Sequence, residues 1–461
     1  MPGFTSIHFE ISERKILLRV FDVFFVFLFL FLIGEFWDFN YFTFRGNNCY
    51  WTIVLGVYIA IFGTVFEMYN LQVSSNRFLI TRSVLLTTSV TTLLYLLTPF
   101  FTPELPGNRL QILLFYGSIL LALLLWRNLY LIFLASHRFV KQVIFVGDAT
   151  KIMDLANDLK TVNPHYHIKG FVATTTANST TSVIPEITLE DLTAMVRKHP
   201  IAEIVVTHDV KAQNSKALYD VLLELLENGV VIRDYTELYE AETYRLPLYD
   251  KDEEVYRFFP FSRSNQNKLY AIYSRLLDIV LSVLGLLFFI PIVPIVFLLN
   301  LIGNKGPLLY KQLRVGKNGK TFGIVKLRTM VPNAEQNGAV YAQTNDVRIT
   351  PIGKFLRRSR IDEIPQFINV LKGEMAVIGP RPERPVFVEQ IAERIPLYQT
   401  RHVIKPGLTG WAQVNYPYGQ SLDDSLMKLR YDLYYIKHRS LYLDLSITVK
   451  TISTILFFRG Q

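Results

Sequence analysis

The chain has 461 residues, of which 50% are hydrophobic and 14% aromatic, and its formal net charge is +9. The single cysteine, Cys49, excludes an internal disulfide and any cysteine-rich metal site. The apolar residues are concentrated in the first third of the chain and in one later stretch, which indicates a membrane protein with soluble parts. We therefore expect the positive charge to meet lipid phosphates and headgroups, and no nucleic acid.

Four apolar runs open the chain, and each is close to the ~20 residues that a spanning helix needs. Basic residues lie before the first run, between the second and third, and after the fourth, whereas the other two loops hold only Arg45 and Arg109. By the positive-inside rule, both ends of a four-helix bundle over residues 1–138 face the cytoplasm. A buried soluble helical core is the alternative. The runs cover residues 16–33, 51–66, 84–100 and 110–134.

Strand-like runs alternate with helical patterns over residues 139–266, which predicts a Rossmann-like α/β domain with a parallel sheet. Its first turn holds Gly147 and Asp148, but the Gly-x-Gly-x-x-Gly motif of a dinucleotide site is absent. A scaffold domain is thus favoured over a nucleotide sensor. The polar, aromatic and charged composition of residues 236–267 predicts an irregular linker. The strand-like runs are 142–146, 167–172, 203–207 and 230–234, and the clearest helical pattern is 215–228.

A fifth apolar run, residues 279–302, contains Pro291 and Pro294 near its middle. Proline lacks the backbone N–H and clashes with the preceding turn, so two prolines this close should break or kink a helix. Both flanks of the run are basic, and both therefore favour the cytoplasmic side. We expect a re-entrant membrane helix over residues 267–303 that enters and leaves by the same face. A kinked spanning helix is the alternative.

The remaining residues, 304–461, carry several basic motifs. In the strand-like segment 322–327, the two-residue period places Lys326 on the same face as the following Arg328, an array that suits phosphates. A solvated basic face beside anionic lipid explains each residue equally well. Further along, prolines on both sides fix the backbone around Arg381, whose guanidinium could bind phosphate bidentately or lie in a surface turn.

A pair of carboxylates, Asp362 and Glu363, lies between these motifs. Proline is tolerated only in the first turn of a helix, so Pro365 predicts a helix that begins near Asp362, and Gly373 should end it. The helix dipole and the arginines of 357–360 favour an ionised Asp362. Such a carboxylate can attack phosphorus or bind magnesium. Taken alone, Asp362 is better explained as a helix N-cap, because Asp is among the residues favoured at that position.

Taken together, these stretches resemble the polyprenyl-phosphate hexose-1-phosphate transferases, the monotopic phosphoglycosyl transferases that start bacterial capsule, O-antigen and exopolysaccharide synthesis. They follow the family order over about 190 residues from Tyr273 to the end. The helical bundle and the degenerate Rossmann-like domain resemble the long form of the family. The matching motifs are Lys326-x-Arg328-Thr329-Met330, Asp362-Glu363 before Pro365-Gln366, Gly379-Pro380-Arg381-Pro382 and Pro406-Gly407-Leu408-Thr409-Gly410-Trp411-Ala412-Gln413-Val414-Asn415.

The resemblance implies a multi-pass enzyme of the bacterial inner membrane with an α/β catalytic domain on the cytoplasmic face. Asp362 would attack the β-phosphorus of a UDP-sugar and release UMP, and undecaprenyl phosphate would then take the phospho-sugar from the carboxylate. Glu363 would act as a base or orient the metal, and Mg²⁺ would bind Asp362 and the diphosphate. The residues that would hold phosphates are Arg357, Arg381, Lys326 and Arg328.

Two other functions compete with this one: a glycosyltransferase that releases UDP, and a non-catalytic scaffold or nucleotide sensor for polysaccharide export. One departure concerns the residues after Asn415, where many members have a glycine and then a basic residue nearby. Here the run is 416–419, Tyr-Pro-Tyr-Gly, so another group would replace the basic one. Residues 440–458 predict an interfacial helix. The sugar, the pathway, a ligand of the middle domain and a homodimer are left open.

Overall fold

The computed structural model divides into two compact units, Met1–Thr243 and Tyr244–Gln461. The predicted finer division into four parts stays a prediction. The structure describes residues 11–37, 39–42, 49–69, 71–74, 77–98, 100–133, 141–162, 166–173, 184–199, 201–207, 215–248, 267–304, 306–332, 334, 346–395, 397–417, 419 and 421–456.

The first unit opens with apolar helices that contain all four predicted runs, apart from a few terminal residues. Among the described residues, four helices are long and apolar enough to cross a membrane, namely Ile16–Phe36, Arg77–Leu97, Arg109–Ile132 and Lys268–Phe289. The chain is therefore a membrane protein. The second predicted run forms the shorter apolar helix Tyr50–Val65. The helices are α1 (Ile11–Phe36), α2 (Cys49–Val65), α3 (Leu71–Ser74), α4 (Arg77–Leu97) and α5 (Arg109–Phe133).

Helices α1 and α5 are joined by aromatic stacking and by a buried ion pair. The rings of Phe21 and Phe25 stack on Trp126 with centroid distances of 4.8 and 5.1 Å. Beside them, Arg127 Nη2 lies 2.5 Å from Asp22 Oδ2, and both side chains are almost fully buried. An ionisable residue in an apolar helix is costly unless it is paired, so this contact fixes which faces of the two helices meet.

The α/β part of the first unit has a four-stranded parallel sheet of order β2-β1-β3-β4. The predicted alternation of strands and helices over this region is confirmed. Its elements are β1 (Lys141–Gly147), α6 (Ala149–Val162), β2 (Tyr166–Ala173), α7 (Leu189–Lys198), β3 (Ile201–Val206), α8 (Ser215–Glu227), β4 (Val231–Asp234) and α9 (Tyr235–Thr243).

The turn after β1 does not form an open phosphate cradle. Gly147 has a φ of +145°, and a Cβ at this position would overlap the side chain of Thr207. The hydroxyl of Thr207 also accepts the backbone N–H of Asp148 at 3.1 Å. A protein side chain thus occupies the position at which a dinucleotide's phosphate would approach the backbone, which favours the scaffold interpretation.

The prediction of an irregular linker over residues 236–267 is wrong at its start, where α9 forms. Leu238 and Tyr239 of α9 are buried, and the hydroxyl of Tyr239 donates to Asp158 Oδ2 at 2.7 Å. Tertiary packing of these side chains stabilises the helix despite its weak sequence pattern. The predicted linker residues 249–266 lie outside the described residues.

The second unit begins with two apolar helices, α10 (Lys268–Phe289) and α11 (Ile292–Gly303). The predicted break is confirmed: the helix is interrupted at residues 290–291, and Pro294 lies in the first turn of α11. The other elements are β5 (Leu309–Val315), β6 (Thr321–Leu327), α12 (Pro351–Arg358), α13 (Phe367–Lys372), β7 (Ala376–Ile378), α14 (Pro385–Ala392), β8 (Gly407–Thr409), α15 (Trp411–Asn415), α16 (Leu422–His438) and α17 (Leu441–Leu456).

Two small sheets organise the second unit. Strands β5 and β6 form an antiparallel hairpin, and β7 and β8 form a parallel pair in which Ala376 lies opposite Gly407. The predicted strand at 322–327 and the predicted helical tail at 440–458 correspond to β6 and α17. The core of this unit is formed by buried apolar side chains from most of these elements, including Val370, Met375, Leu429 and Leu433.

Candidate active site

Asp362 and Glu363 lie on a short 3-10 helix, Ile361–Gln366, which we call the carboxylate turn. It continues directly into α13, and Gly373 ends that helix with a φ of +81°. The predicted helix bounds are therefore confirmed, with a 3-10 opening around Pro365. The residue at the N-cap is Arg360, with a φ of +60°, so the explanation of Asp362 as an N-cap is wrong.

The carboxylate turn rests on the broken membrane helix. Ile361 and Ile364 pack into a cluster with Phe289, which ends α10, and with Val296 of α11. Leu356 of α12 belongs to the same cluster. Each Å² of apolar surface that is removed from water stabilises the fold by about 25 cal/mol. This packing therefore contributes to holding the turn at the break.

Two ionisable residues of α10 fasten the segments that follow the carboxylate turn. Arg275 donates to the backbone carbonyls of Val370 and Leu371, both at 2.7 Å, and so caps the C-terminal end of α13. Asp278 Oδ1 accepts the backbone N–H of Val377 in β7 at 2.7 Å. Sequence reasoning missed both roles, although charged residues inside an apolar helix are themselves a signal of function.

Glu363 is surrounded by three cations. Arg381 Nη2 lies 2.9 Å from Oε1, Arg360 Nη1 lies 3.1 Å from Oε2, and Lys326 Nζ lies 3.8 Å from Oε1. Burial alone would raise the pKa of Glu363, but these cations outweigh it and hold the pKa well below its ordinary value. Glu363 therefore stays ionised and is a weak base. Its ion pair with Arg360 was not predicted, although their spacing of three residues on one turn is a usable signal.

Asp362 has the opposite environment. Its side chain is buried, and Oδ1 has no hydrogen-bond partner. Burial and the adjacent charge of Glu363 raise the pKa of Asp362 to about 6, against the opposing effects of Lys326, Arg357 and Arg360. The cations thus act in the predicted direction, but burial outweighs them. Above about pH 6, this carboxylate is a desolvated anion, and its Oδ1 accepts no hydrogen bond from the protein.

The free oxygen of Asp362 also fits a magnesium ion. Mg²⁺ prefers oxygen ligands and is usually bound by one or two carboxylates together with substrate phosphates and water. In the described part of the chain, no group of three or more His, Cys, Asp or Glu side chains could hold a metal. The residues present therefore suit a metal shared with a diphosphate, with Asp362 as the protein ligand, and not an all-protein metal site.

The segment that carries Arg381 is held by close backbone contacts with the glycine-rich motif. Gly379 N–H donates to Thr409 O at 2.9 Å, and Gly407 N–H donates to Pro380 O at 2.8 Å. A Cβ on Gly407 would overlap the backbone of Gly379. Glycine is thus required at these positions because the two backbones approach each other closely. The contact fixes the position of Pro380, the residue before Arg381.

A buried ion pair supports the same segment from behind. Arg401 Nη2 lies 2.7 Å from Asp432 Oδ2 and also donates to the backbone carbonyl of Arg381 at 3.1 Å. Arg401 Nη1 donates to the hydroxyl of Tyr398 at 2.6 Å. Arg381 itself reaches Glu363 and, at 3.4 Å, Gln413 Oε1. The guanidinium of Arg381 therefore lies at the carboxylate turn, and its predicted role in phosphate binding stays a prediction.

Arg328 does not fit its predicted role in phosphate binding. Strand β6 ends at Leu327, and the Arg328 side chain turns towards the end of α11. Its five N–H donors bond to Asn300 Oδ1, Asn304 Oδ1 and the backbone carbonyls of Asn304, Pro307 and Met330. A guanidinium has five N–H donors, so none remains for a phosphate. Arg328 instead ties the hairpin to the end of the membrane helix.

The other two predicted phosphate-binding residues lie near the carboxylates. The Nζ of Lys326 approaches Glu363, and burial lowers the pKa of Lys326 to about 8. Arg357 Nε donates to Thr329 Oγ1 at 2.8 Å, and its charge lowers the pKa of Asp362.

A basic group does lie beside Asn415. Lys450 of α17 donates to Asn415 Oδ1 at 2.6 Å, and its Nζ lies 4.6 Å from the ring centroid of Trp411. This residue is 35 positions further along the chain, so no local pattern could have indicated it. Tyr418, in the divergent run, lies outside the described residues.

Comparison with known proteins identifies a family for the region that contains these residues. Residues 269–458 match the profile of the bacterial sugar transferase family. A relative from Caulobacter vibrioides, named UDP-glucose:undecaprenyl-phosphate glucose-1-phosphate transferase, is 39% identical over 184 residues, which are 40% of this chain and 69% of the relative. The chain belongs to the bacterial sugar transferase family. The site residues described above all lie within the matched sugar transferase region.

Two further relatives extend well beyond the part that aligns with this chain. One from Aeromonas hydrophila, named UDP-N-acetylgalactosamine-undecaprenyl-phosphate N-acetylgalactosaminephosphotransferase, is 47% identical over 188 residues, 41% of this chain and 44% of the relative. One from Komagataeibacter xylinus, named undecaprenyl-phosphate glucose phosphotransferase, is 30% identical over 341 residues, 70% of this chain and 61% of the relative. The chain thus spans less than two thirds of the length of these two relatives.

Proposed function

We propose that this chain transfers a sugar-1-phosphate from a UDP-sugar to undecaprenyl phosphate and thereby starts a bacterial surface polysaccharide. The observation that carries the proposal is the contrast between two adjacent carboxylates. Glu363 is held by three cations, whereas Asp362 keeps a buried oxygen without a hydrogen-bond partner. The names of the relatives from Aeromonas and Caulobacter support the classes of donor and acceptor.

The reaction proceeds in two displacements at the same phosphorus. A carboxylate oxygen of Asp362 attacks the β-phosphorus of the UDP-sugar, the bond from that phosphorus to the bridging oxygen breaks, and UMP leaves. An oxygen of undecaprenyl phosphate then attacks the phosphorus of the phospho-sugar. The bond to Asp362 breaks, which restores the carboxylate and yields undecaprenyl diphospho-sugar. A covalent route divides one difficult displacement into two easier ones.

The surrounding residues act through charge and position, which are the main contributions of proteins to phosphoryl transfer. Arg381, Arg357 and Lys326 bind and neutralise the diphosphate. Glu363 holds Arg381 in place and, as a like charge, raises the pKa of Asp362. When bound at Asp362, Mg²⁺ supplies further neutralisation of the diphosphate charge.

The proposed membrane arrangement follows from the broken helix. Helices α10 and α11 enter and leave by the cytoplasmic face of the inner membrane, because both flanks are basic and the helix breaks at residues 290–291. The packing of Ile361 and Ile364 against this break supports a position of Asp362 close to the membrane. The bundle has both ends in the cytoplasm, and the Rossmann-like domain serves as a scaffold.

The test uses the full chain in nanodiscs with magnesium, undecaprenyl phosphate and a panel of UDP-sugars, and it follows the nucleotide that is released. UMP release that requires the lipid and is lost in Asp362→Asn supports the proposal and identifies the sugar. Release of UDP would instead assign a glycosyltransferase that moves the sugar alone. The absence of nucleotide release with every donor would assign a non-catalytic scaffold.

A further inference from the structure

A groove of about 360 Å³ lies beside the segment that carries Arg381. Three pieces of chain form it: the turn between β5 and β6, helix α14, and the 3-10 helix Tyr398–Val403. The volume is within the range of about 300–1,000 Å³ that is common for small-molecule sites. The residues that line this groove, which we call the hairpin groove, include none of those assigned above to the reaction.

The lining of the hairpin groove suits a flat, uncharged ring. Val315, Val388 and Val403 provide apolar walls, and Asn318, Gln399 and His402 provide hydrogen-bonding groups. A mostly apolar site with a few placed polar groups is typical of small-molecule pockets. Amide side chains offer both donors and acceptors, which a heterocycle with alternating N–H and C=O groups can satisfy.

The charges at the hairpin groove disfavour a phosphate. In the described part of the chain, its lining carries no lysine or arginine, and it includes the carboxylate of Glu389. Burial and the neighbouring charge of Arg401 lower the pKa of His402 to about 4, so its imidazole is neutral near pH 7. A neutral imidazole presents one donor and one acceptor. The groove therefore differs in chemistry from the cationic surroundings of Glu363.

Two contacts join the hairpin groove to the candidate active site. The backbone N–H of Val315 donates to the carbonyl of Glu383 at 2.9 Å, and Glu383 follows Arg381 by two residues. Two residues of extended chain span at most about 7 Å. On the other side, His402 follows Arg401, whose guanidinium donates to the carbonyl of Arg381 at 3.1 Å. Both walls of the groove are thus fastened to the segment that presents Arg381.

We propose that the hairpin groove binds the nucleobase of the nucleotide donor. This inference rests on the proposed function, in which the donor is a uridine diphosphate derivative with its diphosphate between Arg381 and Asp362. The base then lies on the far side of Arg381 from the nucleophile, and the ribose bridges the two. The valines contact the faces of the ring, and Gln399, Asn318 and His402 meet its polar edge.

The test measures binding of UMP and of ribose 5-phosphate, which lacks the base, to the full chain in nanodiscs by isothermal titration calorimetry. Gln399→Ala removes a polar contact from an exposed position, and Val403→Trp fills the groove from its partly exposed rim. Both variants should weaken UMP binding about tenfold or more and leave ribose 5-phosphate unchanged. Glu393→Ala, an exposed residue just after α14, is the matched control and should bind both ligands as the unmodified chain does.

Three results would overturn the assignment. They are UMP affinity within about twofold of the unmodified chain in both variants, parallel loss of UMP and ribose 5-phosphate, and no measurable UMP binding to the unmodified chain. None of them depends on turnover. If the chain releases UMP from a UDP-sugar and Asp362→Asn does not, the proposed function is supported even when the base binds elsewhere. If the groove variants weaken UMP binding but no donor supports transfer, the groove is still assigned to the base and the proposed function is rejected.

Discussion

Asp362 and Glu363 are adjacent in the chain, but the structure gives them different partners. The side chain of Glu363 is within 4 Å of three cations, whereas Asp362 Oδ1 has no hydrogen-bond partner. The two carboxylates therefore have pKa values displaced in opposite directions. Separated pKa values of neighbouring groups are common at catalytic sites, because one group must react while the other holds charge.

The pH dependence of transfer should report the ionisation of Asp362. The proposed nucleophile must be ionised, and the pKa of Asp362 is raised to about 6, so activity should be lost as the pH falls through about 6. In Glu363→Gln, the like charge is removed and three cations lose their partner. The acidic limb should then move to lower pH, while the plateau rate falls by up to about 100-fold because Arg381 is no longer held.

Initial rates of UMP release between about pH 5 and 8 measure this limb, with Glu393→Gln as a surface control. An acidic limb that stays in place or moves to higher pH in Glu363→Gln would contradict the assignment of Asp362.

Lys326 should set the alkaline limb. Burial lowers its pKa to about 8, so its charge beside Glu363 is lost as the pH rises through about 8. Activity should decline there because the diphosphate loses a cation. Lys326→Arg keeps the charge at every accessible pH, so the variant should extend activity to higher pH, although with a lower maximal rate. An alkaline limb that is identical in the variant would exclude Lys326 as its origin.

Residue roles that depend on local rules could be predicted from sequence, and those that depend on distant partners could not. Proline and glycine positions correctly predicted the bounds of the helix that follows Asp362. The two-residue strand period failed for Arg328, because β6 ends before it and its partners lie in α11 and the loops that follow α11 and β6. The contact of Lys450 with Asn415 likewise depends on how α17 packs.

At the scale of elements, α10 is both a membrane helix and a support for the site. The break after α10 follows from proline chemistry and could be predicted. The contact of Asp278 with β7 could not, because it joins residues 99 positions apart. This contact explains why a carboxylate occurs in an apolar helix: it satisfies a buried backbone N–H of the strand before Arg381.

Removing that contact should destabilise the second unit. In Asp278→Leu, the N–H of Val377 is left buried without a partner, which costs about 1–3 kcal/mol. Asp278→Asn retains an acceptor at the same position and should cost less. Thermal unfolding of both variants in detergent measures the difference, and transfer activity should follow the same order. Equal melting temperatures for the Leu and Asn variants would mean that the contact contributes nothing.

At the scale of the whole molecule, the proposed topology places both flanks of the broken helix on one side of the membrane. The chain is convenient for a test because Cys49 is its only cysteine. In a Cys49→Ser background, Lys268→Cys and Lys354→Cys place thiols at exposed positions at the start of α10 and after α11. Both should react with an impermeant maleimide in inside-out vesicles and not in spheroplasts.

Glu104→Cys, on the loop between α4 and α5, is the matched control and should show the reverse pattern. Reaction of Lys268→Cys and Lys354→Cys from opposite sides would show a kinked spanning helix and would place the catalytic unit on the other face.

The proposed covalent step is tested most directly without the lipid acceptor. The full chain in nanodiscs is mixed with magnesium and a UDP-sugar labelled at the β-phosphorus, quenched, digested and mapped by mass spectrometry. We expect phospho-sugar on the peptide that contains Asp362, UMP in equal amount, loss of the label in Asp362→Asn, and transfer of the label to undecaprenyl phosphate when the lipid is added. Transfer to the lipid by a chain that never carries the label, or by Asp362→Asn, would contradict the nucleophilic role of Asp362.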